Sequence, residues 1–600
     1  MAEQEPILTE AFLTAQSEGK AFTLQYKNRF LYSKYNPQKN ILQAVKSLEL
    51  LPGTLVLVFS PALFYGFKEL EQKCKAASSA ILCVEADSAL HSFASQEIIR
   101  QDLAATILPF DQNTPRGLDD FFNGSRQKFR RVVRLDFSAG VSLAPEFYQN
   151  FYQCAQNIVA AFWKNRLTLV RLGRLYCKNL FKNLLQASRA LPFEALERTV
   201  EKPILVCGAG ESLDELTAFG SANPAKTETA CKTEKAADKT DTDCKTKKAA
   251  ALAAINERFF ILAVDAAVPA LCAAGIKIDA VAATESQLAI EKAYIGLKSE
   301  NALQGQERGG PIFFFDLTSR AAIARRFESR AAFYFSQFDK NNFLSRLQKE
   351  GLLPTIAPPL GSIGLTAVYL ALRLRKSPAL PVCVLGLDFS FSAGRTHARG
   401  TAQSAALLAQ SNRLKPAQNC AAAYEPGTEK ITGKDGRAYW TSKNLFGYAA
   451  LFRQYFKGTP ALYDLGKSGI DLGLERRHFE DVLGSQEGAA AFGLPYDFGK
   501  SHEAAAREKK AENFLREELA ALRALADLLS KGDGSKFRDK NLSLDEQILQ
   551  SLRGREYLYL HFPDGTEPSL ERSFLTRVRA QIDFFAKDIE TALTPRLRRT

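Results

Sequence analysis

Short apolar runs alternate along the chain with longer segments in which apolar residues recur at helical spacing. In the first quarter, runs rich in leucine and β-branched residues occupy 54–59 (TLVLVF), 80–84 and 131–135. Strands separated by helices pair in parallel in α/β proteins. The pattern predicts a small N-terminal α/β domain with a parallel sheet over residues 1–145.

Helical spacing of apolar residues continues through 146–187, which predicts a helical linker over 146–200. Five further apolar runs predict strands at 203–207, 259–268, 278–286, 311–319 and 381–392. We expect these strands to form a Rossmann-like central domain over 201–484. The fold class predicted for the whole chain is therefore α/β.

Beyond residue 485 the composition shifts to Ala, Glu, Lys, Arg and Leu, and 503–530 again shows helical spacing. This predicts a helical C-terminal domain over 485–600, for packing, oligomerisation or holding a protein partner. A Lys-, Thr- and Ala-rich segment at 222–250 predicts a disordered insertion in the central domain. It contains Asp241 and Asp243, whose D-x-D spacing is typical of metal-binding sugar transferases but fits chance in so polar a segment.

The strand at 203–207 runs directly into a glycine turn, GAGES. Gly208 and Gly210 allow a sharp turn and close approach to a ligand, and Ser212 can cap a following helix whose N–H groups favour an anion. A purely structural turn explains the same residues equally well. The sequence has no third glycine at the dinucleotide spacing and no Gly-Lys-Ser/Thr, so it has neither a nicotinamide fingerprint nor a P-loop.

Carboxylates follow four of the predicted strands: Asp265, Glu285, Asp316 and Asp388. The carboxyl edge of an open α/β sheet is where ligands bind, so these positions predict a polar small-molecule cleft. Aspartate and glutamate also cap helices that follow strands, which is the alternative role for part of this set.

Two further features lie near the last predicted strand. Gly361 and Ser362 form a turn before an apolar helix and can present N–H groups and a hydroxyl to an anion. His397 lies in the polar loop SAGRTHARGT, nine residues after Asp388. A histidine beyond a strand end is a candidate acid or base, and a surface histidine is the plainer interpretation.

Composition narrows the class of protein. No apolar stretch is long enough to span a membrane, and the N-terminus lacks the basic and apolar regions of a signal peptide, so we expect a cytoplasmic protein. The 10 cysteines show no Cys-x-x-Cys spacing and favour free thiols without a metal site. A net charge of +13, spread along the chain without a nucleic-acid-binding motif, suits anionic substrates better than nucleic acid.

Four segments in order resemble the central domain of motility-associated factor (Maf) glycosyltransferases, which is similar to MptE-like pterin pyrophosphokinases. They are GAGESLDEL (208–216), AVDAAVPALCAAGIKIDAVAATE (263–285), GSIGLTAVYLAL (361–372) and LGLDFSFSAGRTHARGT (385–401). Upstream, 163–184 and 33–41 also look like the bacterial Maf proteins. The resemblance covers most of the first 480 residues, which favours the Maf branch over the shorter pterin enzymes.

The resemblance implies a transferase that moves a nonulosonic acid, of the pseudaminic or legionaminic type, from a cytidine monophosphate (CMP) donor to Ser or Thr of flagellin. Such a protein would support flagellum assembly and motility, with flagellin as its partner and without a tightly bound cofactor or metal. Similarity to bacterial sialyltransferases implies a set of donor-binding residues. These are Gly208, Gly210, Ser212, Leu213, Gly361, Ser362, Tyr463 and Ser468.

The sequence departs from the sialyltransferase pattern at two places. Glu211 stands where that family has proline, and no histidine lies between His397 and His478, where the family carries its general base. Candidates for the base are His397, Asp388, Asp265 and Glu285. The alternatives left open are a 6-hydroxymethylpterin pyrophosphokinase using ATP and Mg²⁺, and a non-catalytic flagellin-binding protein.

Overall fold

A computed structural model describes residues 10–14, 21–110, 115–124, 129–219, 252–294, 310–416, 420–484, 502–531 and 543–594. The predicted insertion at 222–250, with Asp241 and Asp243, lies outside the described residues. The chain forms two compact units, Met1–Thr168 and Leu169–Thr600.

The first unit contains a parallel sheet in the order β5-β4-β6 and an antiparallel sheet in the order β1-β2-β3. Its strands are β1 (Glu10–Thr14), β2 (Ala21–Tyr26), β3 (Arg29–Phe30), β4 (Thr54–Phe59), β5 (Ala80–Val84) and β6 (Arg131–Asp136). Its helices are α1 (Lys39–Ser47), α2 (Phe67–Ala76), α3 (Ser88–Arg100), α4 (Pro115–Gly124) and the first part of α5 (Pro145–Arg189). All six residues of β4 are buried, as expected for a parallel strand covered on both faces.

The second unit is built on a ten-stranded sheet in the order β13-β12-β11-β10-β9-β8-β14-β17-β18, with β7 beside β12. Its strands are β7 (Leu191–Pro192), β8 (Ile204–Cys207), β9 (Phe260–Val264), β10 (Ala280–Ala283), β11 (Ile312–Asp316), β12 (Ala331–Ser336), β13 (Ile356–Ala357), β14 (Val382–Leu385), β17 (Leu462–Asp464) and β18 (Glu475–Arg476). Each pairing is parallel. A separate hairpin joins β15 (Thr428–Thr432) and β16 (Ala438–Ser442).

Helices connect these strands. They are α6 (Leu213–Phe219), α7 (252–258), α8 (Val268–Ala273), α9 (Ala321–Arg326), α10 (Asn342–Lys349), α11 (Ile363–Leu374), α12 (Ala402–Gln410), α13 (Lys443–Phe456), α14 (Phe479–Gly484), α15 (His502–Lys531), α16 (Leu544–Leu552) and α17 (Arg572–Leu593). The mixed α/β class with a large parallel sheet agrees with the prediction. Strand β12, with its aromatic run at 333–335, was not predicted.

The compact units divide the chain at other places than the predicted boundaries at 145, 200 and 485. The unit boundary falls inside α5, and the C-terminal helices belong to the same unit as the large sheet. The physical reason is a shared core, because Leu515, Leu522 and Phe585 are buried in one hydrophobic cluster with the strands of that sheet.

Buried polar contacts also tie the C-terminal helices to the sheet. The carboxylate of Glu518 on α15 is fully buried and accepts hydrogen bonds from Arg346 of α10 (2.6 Å) and Tyr557 (2.7 Å). The Arg555 guanidinium lies 3.0 Å from the same carboxylate. The buried Glu518 carboxylate is paired with the Arg346 guanidinium only when α10 and α15 meet.

The order of the large sheet has one reversal. From β8 the chain adds β9 to β13 on one side, and it then returns to β14 on the other side of β8. In doubly wound folds, the crevice at the carboxyl ends of the strands flanking such a reversal is the usual ligand site. Here those strands are β8 and β14, which end at Cys207 and Leu385.

Candidate functional site

Two glycines face each other where β8 and β14 end. A Cβ on Gly208 would lie 2.2 Å from the carbonyl oxygen of Gly386, and a Cβ on Gly386 would lie 2.4 Å from that of Gly208. Gly386 also has a φ of +73°, which side chains other than glycine rarely adopt. The sheet can therefore bring these two loops together only because neither position carries a side chain.

The carboxylate of Asp388, from the loop after β14, lies at the N-terminus of α6. It accepts the Ser212 N–H at 2.8 Å and the Ser212 hydroxyl, which in turn accepts the Gly386 N–H at 2.9 Å. Burial raises the pKa of Asp388 to about 6, against the opposing effect of these hydrogen bonds and of Lys434. The anion at this helix end is thus the protein's own carboxylate, and Ser212 hydrogen-bonds that carboxylate. Leu213, predicted to bind the donor, is fully buried in the core.

A hydrogen bond and ion pairs hold the loop after β14 against the glycine turn. The Glu211 carboxylate accepts the Ser392 N–H at 2.5 Å and pairs with Arg395 at 3.2 Å, and Arg395 also pairs with Asp214. The charge of Glu211 is therefore balanced within this loop. A carboxylate at the position where sialyltransferases have proline is therefore accommodated by pairing with a cation.

His397 is held by the same loop. The Ala398 N–H donates to the Ala209 carbonyl at 3.0 Å, so the histidine lies one residue from a direct contact with the glycine turn. Burial lowers the pKa of His397, partly offset by Glu211, which favours the neutral ring at pH 7. Nδ1 lies 2.9 Å from the Thr396 hydroxyl. A neutral imidazole with one nitrogen engaged is suited to accept a proton.

Leu387 connects the turn after β8 to the N-terminus of α11. Its Cδ2 would be 2.6 Å from a Cβ on Gly208 and also 2.6 Å from a Cβ on Gly364. The structure therefore brings the predicted Gly208 and Gly361 turns together. Neither Gly364 nor Gly386 was among the predicted site residues, although both lie inside glycine-containing motifs.

The turn before α11 is formed by Gly361 and Ser362. Gly361 has a φ of +70°, and a Cβ there would lie 3.1 Å from the Tyr448 ring. Ser362 is the N-cap residue of α11, but its hydroxyl makes no capping hydrogen bond. A half-buried hydroxyl at the N-terminus of a 12-residue helix can serve a bound anion without loss of an internal contact.

A buried lysine, missed in the sequence, lies beside this site. Lys434 in the turn between β15 and β16 pairs with Asp464 at 2.5 Å, and side-chain exposure is 3% and 5%. Its N–H donates to the Gly469 carbonyl, and a Cβ on Gly469 would lie 2.8 Å from the Asp388 Cα. The Asp435-Gly436 pair between two alternating runs is a hairpin signal that could have revealed this turn.

The two predicted donor-binding residues nearest the end of the central domain, Tyr463 and Ser468, lie in different surroundings. The Ser468 hydroxyl lies against Tyr439, whose pKa burial and Asp435 raise to about 12, and its neighbour Gly469 packs on Asp388. Tyr463 instead pairs with Cys383 inside the sheet and places its ring 3.9 Å from the Arg477 guanidinium. Ser468 thus lies in the crevice region. Tyr463 lies within strand β17, below the carboxyl edge of the sheet.

The remaining predicted carboxylates lie on the β9–β12 side of the edge. Both oxygens of Asp316 are engaged, by Thr318 on one and the Ser336 N–H at 2.7 Å on the other. Glu285 is half-buried and accepts the Gln287 N–H at 2.9 Å. Asp265 is buried and accepts the Ala266 N–H at 2.7 Å.

Among the described residues, no group of three or more His, Cys, Asp or Glu side chains is placed to hold a metal ion. Within the same ranges, no helix is long and apolar enough to cross a membrane. The described cysteines are free thiols, and burial raises the pKa of Cys207 and Cys383.

No family model matches the sequence. A protein of Treponema pallidum (strain Nichols), described as uncharacterized, is 30% identical over 598 residues, which span 94% of this chain and 93% of that protein. Among solved structures, a Maf glycosyltransferase from Magnetospirillum magneticum AMB-1 aligns with 98% of this chain and 92% of its own, at 13% identity and a TM-score of 0.49. That structure bears the family name that the sequence motifs resemble.

Proposed function

We propose that this chain, which belongs to the same protein family as the Treponema pallidum protein, is a glycosyltransferase that uses a nucleotide-activated sugar. The observation that carries the proposal is the meeting of three motif segments at one topological reversal. The turns at 208–212 and 361–364 and the loop at 386–398 converge there through Gly208, Gly386 and Leu387. A crevice at this place in a parallel sheet fits a nucleotide.

For the donor we propose CMP linked to a nonulosonic acid, and for the acceptor a Ser or Thr hydroxyl of flagellin. The support is the resemblance of the four motif segments to Maf glycosyltransferases. In the part of the chain that the structure describes, the Ser362 hydroxyl makes no capping hydrogen bond, so it can join the N-terminal end of α11 in binding an anion. The N-terminus of α6 is already neutralised by Asp388, so the donor phosphate belongs at α11.

In the proposed reaction, the acceptor hydroxyl oxygen bonds to the anomeric carbon of the sugar as the bond from that carbon to the phosphate oxygen breaks. CMP leaves with the electron pair, and the hydroxyl proton passes to a general base. Among the four candidate bases, His397 fits best because its lowered pKa keeps the ring neutral. Asp388 is engaged by Ser212, which leaves it a positioning role.

The same contacts speak against the pyrophosphokinase alternative. That activity would use the aspartates beyond the strands as ligands for Mg²⁺. The oxygens of Asp316 and Asp388 instead accept hydrogen bonds from Thr318, Ser336 and Ser212.

Calorimetry of the full chain with CMP, a CMP-linked nonulosonic acid, and ATP with Mg²⁺ tests the proposal. We expect CMP to bind, and Ser362→Ala to weaken binding about tenfold or more, since a hydrogen bond to a charged group is lost. The Ser362 hydroxyl makes no capping bond, so the variant should melt like the wild type. Ser530→Ala, at an exposed position on α15, is the matched control.

Each other outcome excludes the proposal in a different way. Binding of ATP with Mg²⁺ and not of CMP would favour the pyrophosphokinase. No nucleotide binding would favour the non-catalytic protein.

A further inference from the structure

One strand of the β15–β16 hairpin is bound to the candidate site, and the other strand lies at the surface. Trp440 of β16 exchanges two main-chain hydrogen bonds with Phe391 of the loop after β14, at 2.8 and 2.9 Å. The Thr441 hydroxyl donates to the Phe389 carbonyl of the same loop at 2.9 Å. Among the described residues, β15 pairs with β16 alone, so no strand lies beside its outer edge.

The outer edge of β15 carries main-chain groups that face away from β16. Lys430 stands opposite Trp440 in the hairpin register, and Trp440 directs its own N–H and carbonyl towards Phe391. Opposed residues in an antiparallel pair either exchange both hydrogen bonds or direct both sets outward. Lys430 therefore faces outward, and so does Thr432, two residues further along. Both residues are exposed, and in the part of the chain that the structure describes their main chains have no hydrogen-bond partner.

We propose that these outward main-chain groups of Lys430 and Thr432, the β15 edge, bind an extended segment of the acceptor polypeptide as an added strand. This inference deepens the proposed function and rests on it. An open edge of this kind recognises a peptide through main-chain hydrogen bonds. The Trp440 ring lies on the same face of the hairpin as Lys430 and is half-buried, so it can add an aromatic contact to the bound segment.

The size of the edge favours a substrate segment over a second copy of this chain. β15 has five residues, so it is about 17 Å long, and an added strand lies about 4.8 Å away. Such a strand covers on the order of 100 Å², whereas a stable complex buries about 800 Å² on each partner. An edge this short therefore fits a segment that binds and leaves during turnover.

The position of the edge allows an acceptor hydroxyl to reach the crevice. Three strand spacings separate an added strand from Phe391, which places it about 14 Å from the loop that carries His397. An extended chain spans that distance in about four residues. The docking segment and the accepting Ser or Thr should therefore lie at least about four residues apart in the acceptor.

The rate of sugar transfer by the full chain, measured against flagellin concentration, tests the β15 edge. Thr432→Pro removes an N–H that faces away from β16, so the hairpin keeps its hydrogen bonds while an added strand is blocked. We expect the KM for flagellin to rise about tenfold or more, because the segment loses main-chain hydrogen bonds. The affinity for CMP should stay that of the wild type. Lys457→Pro is the matched control, since this position is exposed and its φ of −56° suits proline.

Amide hydrogen exchange of the wild type gives a readout that needs no variant. The Lys430 and Thr432 amides should exchange at least about tenfold more slowly when flagellin is bound. This readout decides the matter if Thr432→Pro melts at a lower temperature than the wild type.

Three outcomes would overturn the inference. Unchanged exchange at these amides, or a wild-type KM in a stable Thr432→Pro, would overturn the β15 edge while keeping sugar transfer. A wild-type dimer that Thr432→Pro dissociates, with no change in the KM, would assign the edge to a second copy of the chain. Failure of the wild type to bind CMP and to transfer sugar would overturn the proposed function and this inference with it.

Discussion

The backbones of Gly208 and Gly386 pack directly on one another at the ends of two strands. The two glycines are 178 residues apart in the sequence. A methyl group on either residue would lie within 2.4 Å of the other's carbonyl oxygen. This contact closes the sheet at its point of reversal, and it sets the distance between the glycine turn and the loop that carries His397.

Gly208→Ala should therefore destabilise the second unit. The added Cβ meets backbone, which moves far less readily than the end of a side chain, and overpacking of this kind costs about 1–3 kcal/mol or more. The free energy of unfolding from denaturant titration measures the effect. Gly447→Ala is the control, because nothing lies within 4 Å of a Cβ there. Equal stability of the two variants would contradict the contact.

Ser212→Ala should also destabilise the protein, by about 1–3 kcal/mol. Its hydroxyl donates to Asp388 and accepts the Gly386 N–H, so the variant leaves two buried groups unpaired. Ser530→Ala, on the exposed surface of α15, should change the unfolding free energy by less than about 0.5 kcal/mol. If both serines gave the same small change, Ser212 would not support Asp388.

Glu518→Gln tests whether the C-terminal helices depend on a buried charge. Two guanidinium groups, of Arg346 and Arg555, would lose their carboxylate, and breaking a buried ion pair costs about 3–5 kcal/mol. The neighbouring Glu517 is exposed, so Glu517→Gln should leave the melting temperature within about 1–2 °C of the wild type. A shift of the same size in both variants would exclude a special role for Glu518.

The stability of Asp265→Asn relative to the wild type should rise with pH. The pKa of Asp265 is about 7 in the folded chain, above its usual 3.8. Between these values the unfolded chain loses the proton that the folded chain keeps, so ionisation of Asp265 lowers wild-type stability as pH rises towards 7. Asparagine does not ionise. Melting temperatures of both proteins at pH 4.5 and pH 8 measure the difference, and a difference independent of pH would refute the burial of an unpaired carboxyl.

His397→Asn should reduce sugar transfer by a factor of about 10²–10⁴ and leave CMP affinity unchanged. Because burial lowers the pKa of His397 below its usual 6.5, wild-type kcat should be constant above pH 7 and fall only at lower pH, as the ring takes up a proton. The residual rate of the variant should lack that fall. An unchanged kcat would assign the base to another group.

The sequence alone determined all three strands of the parallel sheet in the first unit and five of the ten strands of the large sheet. Parallel strands such as Thr54–Phe59 and Phe260–Val264 are buried on both faces, so they form continuous apolar runs that stand out between turn residues. For the same reason, the glycine turn after β8, Asp265 after β9 and Asp316 at the end of β11 were found from their positions at strand ends. Strand β12 and the hairpin carrying Lys434 lacked so clear a boundary.

Only the tertiary structure decided what those residues contact. Asp388 and Ser212 are far apart in sequence, and their hydrogen bond depends on β8 and β14 being neighbours in the sheet. The same pairing turned Gly386 and Leu387 into site residues, while Tyr463 was placed below the edge by its register with Cys383. The helices after residue 500 joined the large sheet because their apolar faces share its core. Local pattern reports which residues are buried, and the order of the strands decides which residues meet.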